Sequence, residues 1–186
     1  MRYTDLSGVE AKTGGGFSDV EPGGYICRII GVTDFPEPEK EYLRVDLDIA
    51  AGEYKDYYAE LEDRTGFWFC TMYWSYKEAN LGFFKGNIEA VQQSDRHGWV
   101  FDGKDEKSLV GRLVGAVLGE EEYKAKSGEI KCSVKPRFLV PVQKIMDHDY
   151  KVPKRKTYNG GNDRKSAAGD GFRDVTEDED DGELPF

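Results

Sequence analysis

The chain has 186 residues, of which 38% are hydrophobic and 33% charged, and its formal net charge is −10. This length fits one domain with appendages. No apolar run is long enough to span a membrane, and the first residues lack the apolar stretch of a secretory signal. Three scattered cysteines and two histidines argue against a disulfide framework, a zinc knuckle and most metalloenzymes. We therefore expect a cytoplasmic protein without a cofactor or a bound metal.

The charge is distributed unevenly along the chain. Residues 1–150 contain 19 basic and 27 acidic side chains, residues 151–165 contain six basic and one acidic, and residues 174–186 contain seven acidic and none basic. Such blocks of like charge are typical of disordered interaction segments. We therefore predict a loose N-terminal arm over 1–20, a folded domain over 21–150, a flexible basic linker over 151–173 and an acidic protein-interaction tail over 174–186.

Hydrophobic patterning predicts three strands in the first half of the folded domain. The β-branched stretch 25–32 follows two glycines, and the stretch 67–74 is strongly aromatic. The stretch 42–49 alternates between apolar and polar residues, which is typical of a strand with one buried face. Its apolar face would consist of Leu43, Val45, Leu47 and Ile49.

The second half of the domain contains a helical pattern followed by a hairpin pattern. Apolar residues recur at helical spacing over 75–94. The stretches 109–118 and 130–140 are typical of two strands joined by a turn at 126–129. Pro136 predicts an edge position or a bulge in the last strand. The helical apolar positions are Leu81, Phe84, Ile88 and Val91.

These elements predict a mainly β fold. Five strands with one helix before the fourth match the five-stranded OB barrel, which binds oligonucleotides on one face. A β-sandwich is the alternative architecture. We expect an OB-like barrel followed by a disordered basic linker and an acidic tail.

Aromatic residues make up 13% of the chain, and nine of them fall within residues 54–76. Proteins that bind single strands stack bases on aromatic rings, while Lys and Arg contact the phosphates. The alternative is that these rings fill the core and a dimer interface. The candidate rings for base stacking are Tyr57, Tyr58, Trp68 and Trp74.

Basic residues supply candidate phosphate contacts. Alternation over 130–140 would turn Lys131, Lys135 and Arg137 outward as a basic stripe, and Arg44 would face outward on 42–49. An ordinary solvated face is the alternative, and the acidic balance of the domain counts against nucleic acid. The residues facing inward on the last strand would be Ile130, Cys132, Val134 and Phe138. The linker would add Lys154, Arg155 and Lys156.

Catalytic signatures are absent from the sequence. It contains no Walker loop, no GxSxG and no HExxH motif. Asp46 and Asp48 lie two apart on one strand face, as carboxylates of two-metal nucleases can, but no further ligand accompanies them. The run Glu120–Glu122 is interpreted as a solvated strand end or turn. We therefore expect a protein that is not an enzyme.

The sequence ends with the apolar tripeptide 184–186 directly after an acidic run. Such an ending is suited to binding a partner protein, because Phe186 can fill an apolar pocket while nearby carboxylates meet Arg or Lys. The candidate partner-binding residues are Asp178, Glu179, Asp180, Asp181, Glu183, Leu184, Pro185 and Phe186.

This ending resembles the tip of bacterial single-stranded DNA-binding proteins, in which several acidic residues precede an apolar residue, Pro and Phe. The body instead resembles a family of single-stranded DNA-binding proteins encoded by phages of Gram-positive bacteria. That resemblance implies an OB fold, sequence-independent DNA binding and recruitment of replication proteins. The segments that carry it are GYICRIIGV (24–32), SYKEANLGFFKGNIEAV (75–91), LVGRLVGAVLGEEEY (109–123) and YKVPK (150–154).

The expected function is therefore protection of single-stranded DNA in phage replication or recombination. The tail would recruit a polymerase, helicase, primase or recombinase, and surplus aromatics make a homodimer plausible. One alternative is an acidic DNA mimic that inhibits a host nuclease or restriction enzyme. A second is a metal-dependent nuclease, and a third is an adaptor that contacts only proteins.

Deleting residues 174–186 tests the interpretation of the tail. We expect DNA affinity to stay unchanged or to rise, because an acidic segment competes with DNA for basic groups. Recruitment of the partner should be lost. Oligonucleotide binding and partner pull-down, compared with the full chain, measure the two effects. Weaker DNA binding by the truncated protein would contradict this interpretation.

Overall fold

The computed structural model describes residues 20–37, 40–125 and 127–158. The predicted acidic tail, the arm before residue 20 and the linker from residue 159 lie outside the described residues. The described strands are β1 (Gly23–Phe35), β2 (Tyr42–Ile49), β3 (Thr71–Ser75), β4 (Leu113–Lys124) and β5 (Ile130–Val140). The helices are α1 (Tyr57–Thr65), α2 (Leu81–Ser94) and α3 (Val142–Met146), with 3₁₀ turns at Glu78–Asn80 and Glu106–Leu109.

The strands form one antiparallel sheet in the order β3-β2-β1-β4-β5. The first half of β1 pairs with β4, and its second half pairs with β2. A register shift between Ile29 and Gly31 marks a bulge, which bends a strand and increases its twist. The edge strands β3 and β5 contact each other. The prediction of a mainly β protein is confirmed, and the sheet is consistent with an OB-like fold.

The core confirms the alternation predicted for β2. Its four apolar side chains are each at most 1% exposed, and burying one such side chain contributes about 1.5–3 kcal/mol. The predicted helix is also present, and Ile88 and Val91 are buried on it while Phe84 packs against the core. The prediction that Leu81 faces the core is wrong, because this residue begins the helix and is 47% exposed.

The third predicted strand begins too early. Residues 67–70 are irregular, and β3 covers only Thr71–Ser75. The cause is α1, which hydrophobic patterning did not predict and which ends at Gly66 with a positive φ of 75°. Such a left-handed residue is a common end of a helix. Residues 67–70 therefore connect a helix to the sheet rather than extend a strand.

The predicted hairpin is present, and Pro136 lies both on an edge strand and at a bulge. Val117 pairs with Phe138 whereas Leu118 pairs with Pro136, so β5 has one extra residue at that point. The bulge reverses the alternation, so Leu139 is buried in place of Phe138. The prediction that Ile130 and Cys132 face inward is wrong, because both residues lie near the tip of the hairpin and are exposed. Val134 packs against the core as expected.

Glycines in β1 and β4 allow the C-terminal part of the domain to pack on the sheet. A Cβ at Gly115 would lie 2.5 Å from Ile145 Cγ1, and a Cβ at Gly24 would lie 2.5 Å from the ring of Tyr150. Neither distance is sterically possible, so only glycine permits this approach. α3 and the residues after it therefore cover the face of β1 and β4 that is turned away from the core.

The substitution Gly115→Ala tests this packing. The new methyl group would also lie 2.8 Å from the Val140 carbonyl oxygen. Because this oxygen belongs to the backbone, it cannot easily move away. We expect a loss of about 1–3 kcal/mol in the free energy of unfolding, as for overpacked cores. The control is Gly82→Ala in α2, where a Cβ meets nothing within 4 Å and a gain of up to about 1 kcal/mol is expected. Urea unfolding measures both variants, and equal shifts would contradict the packing argument.

Candidate nucleic-acid interface

The outer face of β1, β2 and β3 contains adjacent aromatic side chains. The alternation that buries the apolar residues of β2 turns Tyr42 and Arg44 outward. Strand pairing places Phe35 of β1 opposite Tyr42, and Tyr73 of β3 opposite Arg44. Side chains opposite each other on one face of a sheet are direct neighbours. The register therefore brings these four residues together.

We call Phe35, Tyr42 and Tyr73 the aromatic platform. The ring centroids of Phe35 and Tyr42 are 5.0 Å apart, and those of Tyr42 and Tyr73 are 5.1 Å apart with nearly perpendicular planes. Tyr73 is 47% exposed, and the other two rings are half-buried. The Lys40 ammonium lies 6.0 Å from the centre of the Phe35 ring. The platform thus presents contiguous aromatic surface across three strands, with a cation at one end.

Arg44 is held beside the platform by its own strand. Its Nε donates to Asp46 Oδ1 at 3.0 Å, and the Thr71 hydroxyl donates to the same carboxylate oxygen. Asp46 is therefore a structural partner that fixes the guanidinium, and the ion pair uses Nε rather than the terminal amino groups. A guanidinium held in this way can still bind a phosphate through its terminal N–H groups.

Two of the aromatic residues predicted to stack on bases are buried instead. Tyr58 and Trp74 are each 2% exposed. Trp74 faces inward on β3 and meets Phe84 of α2 edge to face, with centroids 5.8 Å apart. Tyr58 lies on the buried side of α1. Both predictions are wrong, because these positions point into the core and Tyr73 is the ring of β3 that faces outward.

The other two predicted rings lie at the margin of the core. Tyr57 and Trp68 are half-buried and pack against the core cluster. The Trp68 indole donates to the Cys70 carbonyl at 3.0 Å, which fixes the ring in the connection before β3. Neither ring belongs to the aromatic platform, and their role in binding stays a prediction.

The predicted basic stripe lies on β5 rather than on the strands of the platform. Lys131 is exposed, and the Lys135 ammonium lies 3.9 Å from a carboxylate oxygen of Glu121. Arg137 occupies the bulge, and its Cγ lies 3.1 Å from where a Cβ of Gly119 would be. Arg44 lies on a strand of the platform, directly opposite Tyr73.

The beginning of the predicted linker is part of the folded domain. We call residues 151–158 the C-terminal strap. Lys156 N donates to the Glu120 carbonyl at 3.0 Å, and Glu122 N donates to the Lys156 carbonyl at 2.8 Å. These bonds form a parallel bridge on β4. The predicted boundary at residue 150 is therefore too early, and the described domain extends to residue 158.

The strap is also paired by charge with the acidic run of β4. Arg155 Nε lies 2.8 Å from Glu120 Oε2, and its Nη1 lies 3.6 Å from Glu122 Oε1. Lys156 Nζ lies 3.6 Å from Glu121 Oε1. The hydrogen bond from Arg155 lowers the pKa of Glu120 below its ordinary value. The prediction that these glutamates form a merely solvated strand end is wrong, because they bind the strap.

Asp48 has a structural role at the start of α1. It is 5% exposed and accepts hydrogen bonds from the N–H groups of Ile49, Tyr58 and Ala59 at 2.8, 3.0 and 3.3 Å. Two of these donors belong to the first turn of α1, where N–H groups lack helical partners. Burial raises the pKa of Asp48, although the three backbone hydrogen bonds lower it. Within the described ranges, no cluster of His, Cys, Asp and Glu is arranged to hold a metal ion.

The sequence contained a partial signal for the platform. Alternation over 42–49 already turned Tyr42 outward beside Arg44, but the densest aromatic run favoured different rings. Phe35 and Tyr73 became recognisable only through the strand register.

Comparisons with known proteins name no family for this chain. No protein-family model matches the sequence, and no curated protein matches it. In the part of the chain that the structure describes, no helix is long and apolar enough to cross a membrane.

The variant Asp48→Asn tests the burial of Asp48. Because burial raises the pKa of Asp48 in the folded state, the folded protein retains its proton up to a higher pH than the unfolded chain. The stability of the wild type relative to the variant should therefore fall as pH rises from about 4, the ordinary pKa of Asp, through the raised value. It should be constant at higher pH. Urea unfolding across this pH range measures the difference, and a difference that rises with pH would contradict the assignment.

Proposed function

We propose that the protein binds single-stranded DNA without sequence preference on the aromatic platform. Aromatic rings suit this role because every base has a face on which it can stack, and each stacked base contributes about 1–3 kcal/mol. The observation that carries the proposal is the contiguous arrangement of Phe35, Tyr42 and Tyr73 on the outer face of the sheet. Arg44 and Lys40 supply cations beside these rings.

The position of the platform in the fold also supports the proposal. OB barrels bind oligonucleotides on the face formed by their second and third strands and on the loops beside it. Tyr42 and Tyr73 lie on β2 and β3, and Phe35 ends β1 where the β1–β2 loop begins. In the proposed barrel, the contact between β3 and β5 closes the sheet.

The proposed biological role rests on the resemblance of the sequence to phage single-stranded DNA-binding proteins. The protein would protect single strands during phage DNA replication or recombination in the cytoplasm of the host. Its acidic tail would recruit a polymerase, helicase, primase or recombinase. It would do so without catalysis and without a cofactor.

The substitution Tyr73→Ala tests the platform. Loss of one stacked base at about 1–3 kcal/mol predicts affinity for a thymine oligonucleotide weaker by about 5- to 150-fold. Fluorescence anisotropy of a labelled oligonucleotide is the suitable measurement, because Trp74 is buried and would report poorly on the surface. The matched control is Phe83→Ala, which removes a ring of α2 that is 42% exposed and lies off the platform. Its affinity should match that of the wild type.

The salt dependence of binding separates stacking from phosphate contact. Arg44→Gln should reduce the slope of log affinity against log salt by about 0.7, the value for one phosphate contact on a single strand. Tyr73→Ala should leave the slope unchanged. If the wild type binds no single-stranded DNA even at low salt, the proposal is wrong and an acidic DNA mimic becomes the better explanation. Equal losses in Tyr73→Ala and Phe83→Ala would place the binding site elsewhere.

A further inference from the structure

The C-terminal strap contacts β4 on both sides of that strand. In an extended strand, Glu120 and Glu122 point to one side and Glu121 points to the other. Arg155 pairs with the first two, and Lys156 pairs with the third. Two successive basic residues of the strap thus pair with all three glutamates of the acidic run, one on each side of β4. The register of the bridge determines this match, so the docking is specific.

Hydrogen bonds and ion pairs join the strap to β4. Two backbone hydrogen bonds join it to β4, and Tyr158 N donates to Glu122 Oε2 at 3.1 Å. Pro153 of the strap also packs on Gly119, where a Cβ would be 2.7 Å from Pro153 Cγ. Ion pairs of this exposure contribute about 0–1 kcal/mol each and weaken with salt. The strap is therefore suited to release by a competing anion.

Phosphates are chemically suited to compete for these groups. Arginine binds phosphate with the same planar hydrogen-bonding geometry that it uses for carboxylate. Lys151 and Lys154 of the strap are exposed. A polyanion that contacts them would increase the local concentration of phosphate beside Arg155 and Lys156. Release would leave Glu120 and Glu122 facing water, where an ionised carboxylate is well solvated, while Glu121 would keep its contact with Lys135.

We propose that the strap is a latch, docked on Glu120–Glu122 in the free protein and released as a phosphate-binding arm when a nucleic-acid strand binds. The nature of this ligand rests on the proposed function, whereas the docking itself does not. The glutamates of β4 thus restrain the basic segment until phosphates replace them.

Amide exchange measured by NMR tests the docking without any ligand. The amides of Glu122 and Lys156 donate the two hydrogen bonds of the bridge, so their protection factors report on the latch. In the double variant Glu120→Gln and Glu122→Gln, we expect protection at Lys156 to fall about two- to fivefold, as for loss of a surface ion pair. Glu89→Gln is the matched control, because it removes one carboxylate from the Lys85 pair of α2. Unchanged protection at Lys156 in the double variant would overturn the latch.

Addition of a thymine oligonucleotide to the full chain tests release. We expect protection of the same two amides to fall as the oligonucleotide saturates the protein, and a maintained or increased protection would overturn the latch. The double variant should bind the oligonucleotide about two- to fivefold more tightly at low salt. This gain should disappear when Arg155→Gln is added, and a gain that persists would show only a general effect of net charge. If no oligonucleotide binds, the proposed function and the release step both fail, while exchange in the free protein still decides the docking.

Discussion

The bend of β1 is the constraint on which the sheet depends. This strand pairs with β4 through its first half and with β2 through its second, so it joins the two sides of a curved sheet. The bulge between Ile29 and Gly31 increases the local twist, which allows β1 to pair with both β4 and β2. One side of this sheet faces the core, where Ile29, Leu47 and Val114 are fully buried. The opposite side is then available for α3 and the aromatic platform.

The outer face of β2 shows how neighbouring elements decide which polar residues a ligand can reach. Asp48 and Tyr42 lie at alternate positions on the same side of β2, yet their environments differ completely. α1 covers Asp48, whose carboxylate caps the first turn of that helix. At the other end of the strand, Tyr42 meets the rings of Phe35 and Tyr73. A ligand that follows this face would therefore meet aromatic surface and Arg44, whereas the buried carboxylate would be out of reach.

Patterning predicted the parts of the fold in which local sequence and burial agree. β2 was predicted completely, because each of its apolar residues faces the same core. The aromatic run 67–74 has large apolar side chains on both sides and only Thr71 as a clearly polar residue, so its sequence did not distinguish Tyr73, which is exposed, from Trp74, which is buried. Only the pairing of β3 with β2 separates them. The strap was equally unpredictable, since Arg155 and Glu120 lie 35 residues apart and their contact depends on how α3 returns the chain to β4.

The acidic composition of the chain is compatible with binding a polyanion, because charge acts locally. The Debye length is about 8 Å at physiological ionic strength, so distant carboxylates are screened while adjacent ones are not. Beside the platform, Asp46 is paired with Arg44, and on β4 the glutamates are paired with the strap. Since few unpaired cations lie on the described platform, stacking would supply more of the affinity there than phosphate contact. A protein of this kind would depend only moderately on salt, and release of the strap would make that dependence steeper.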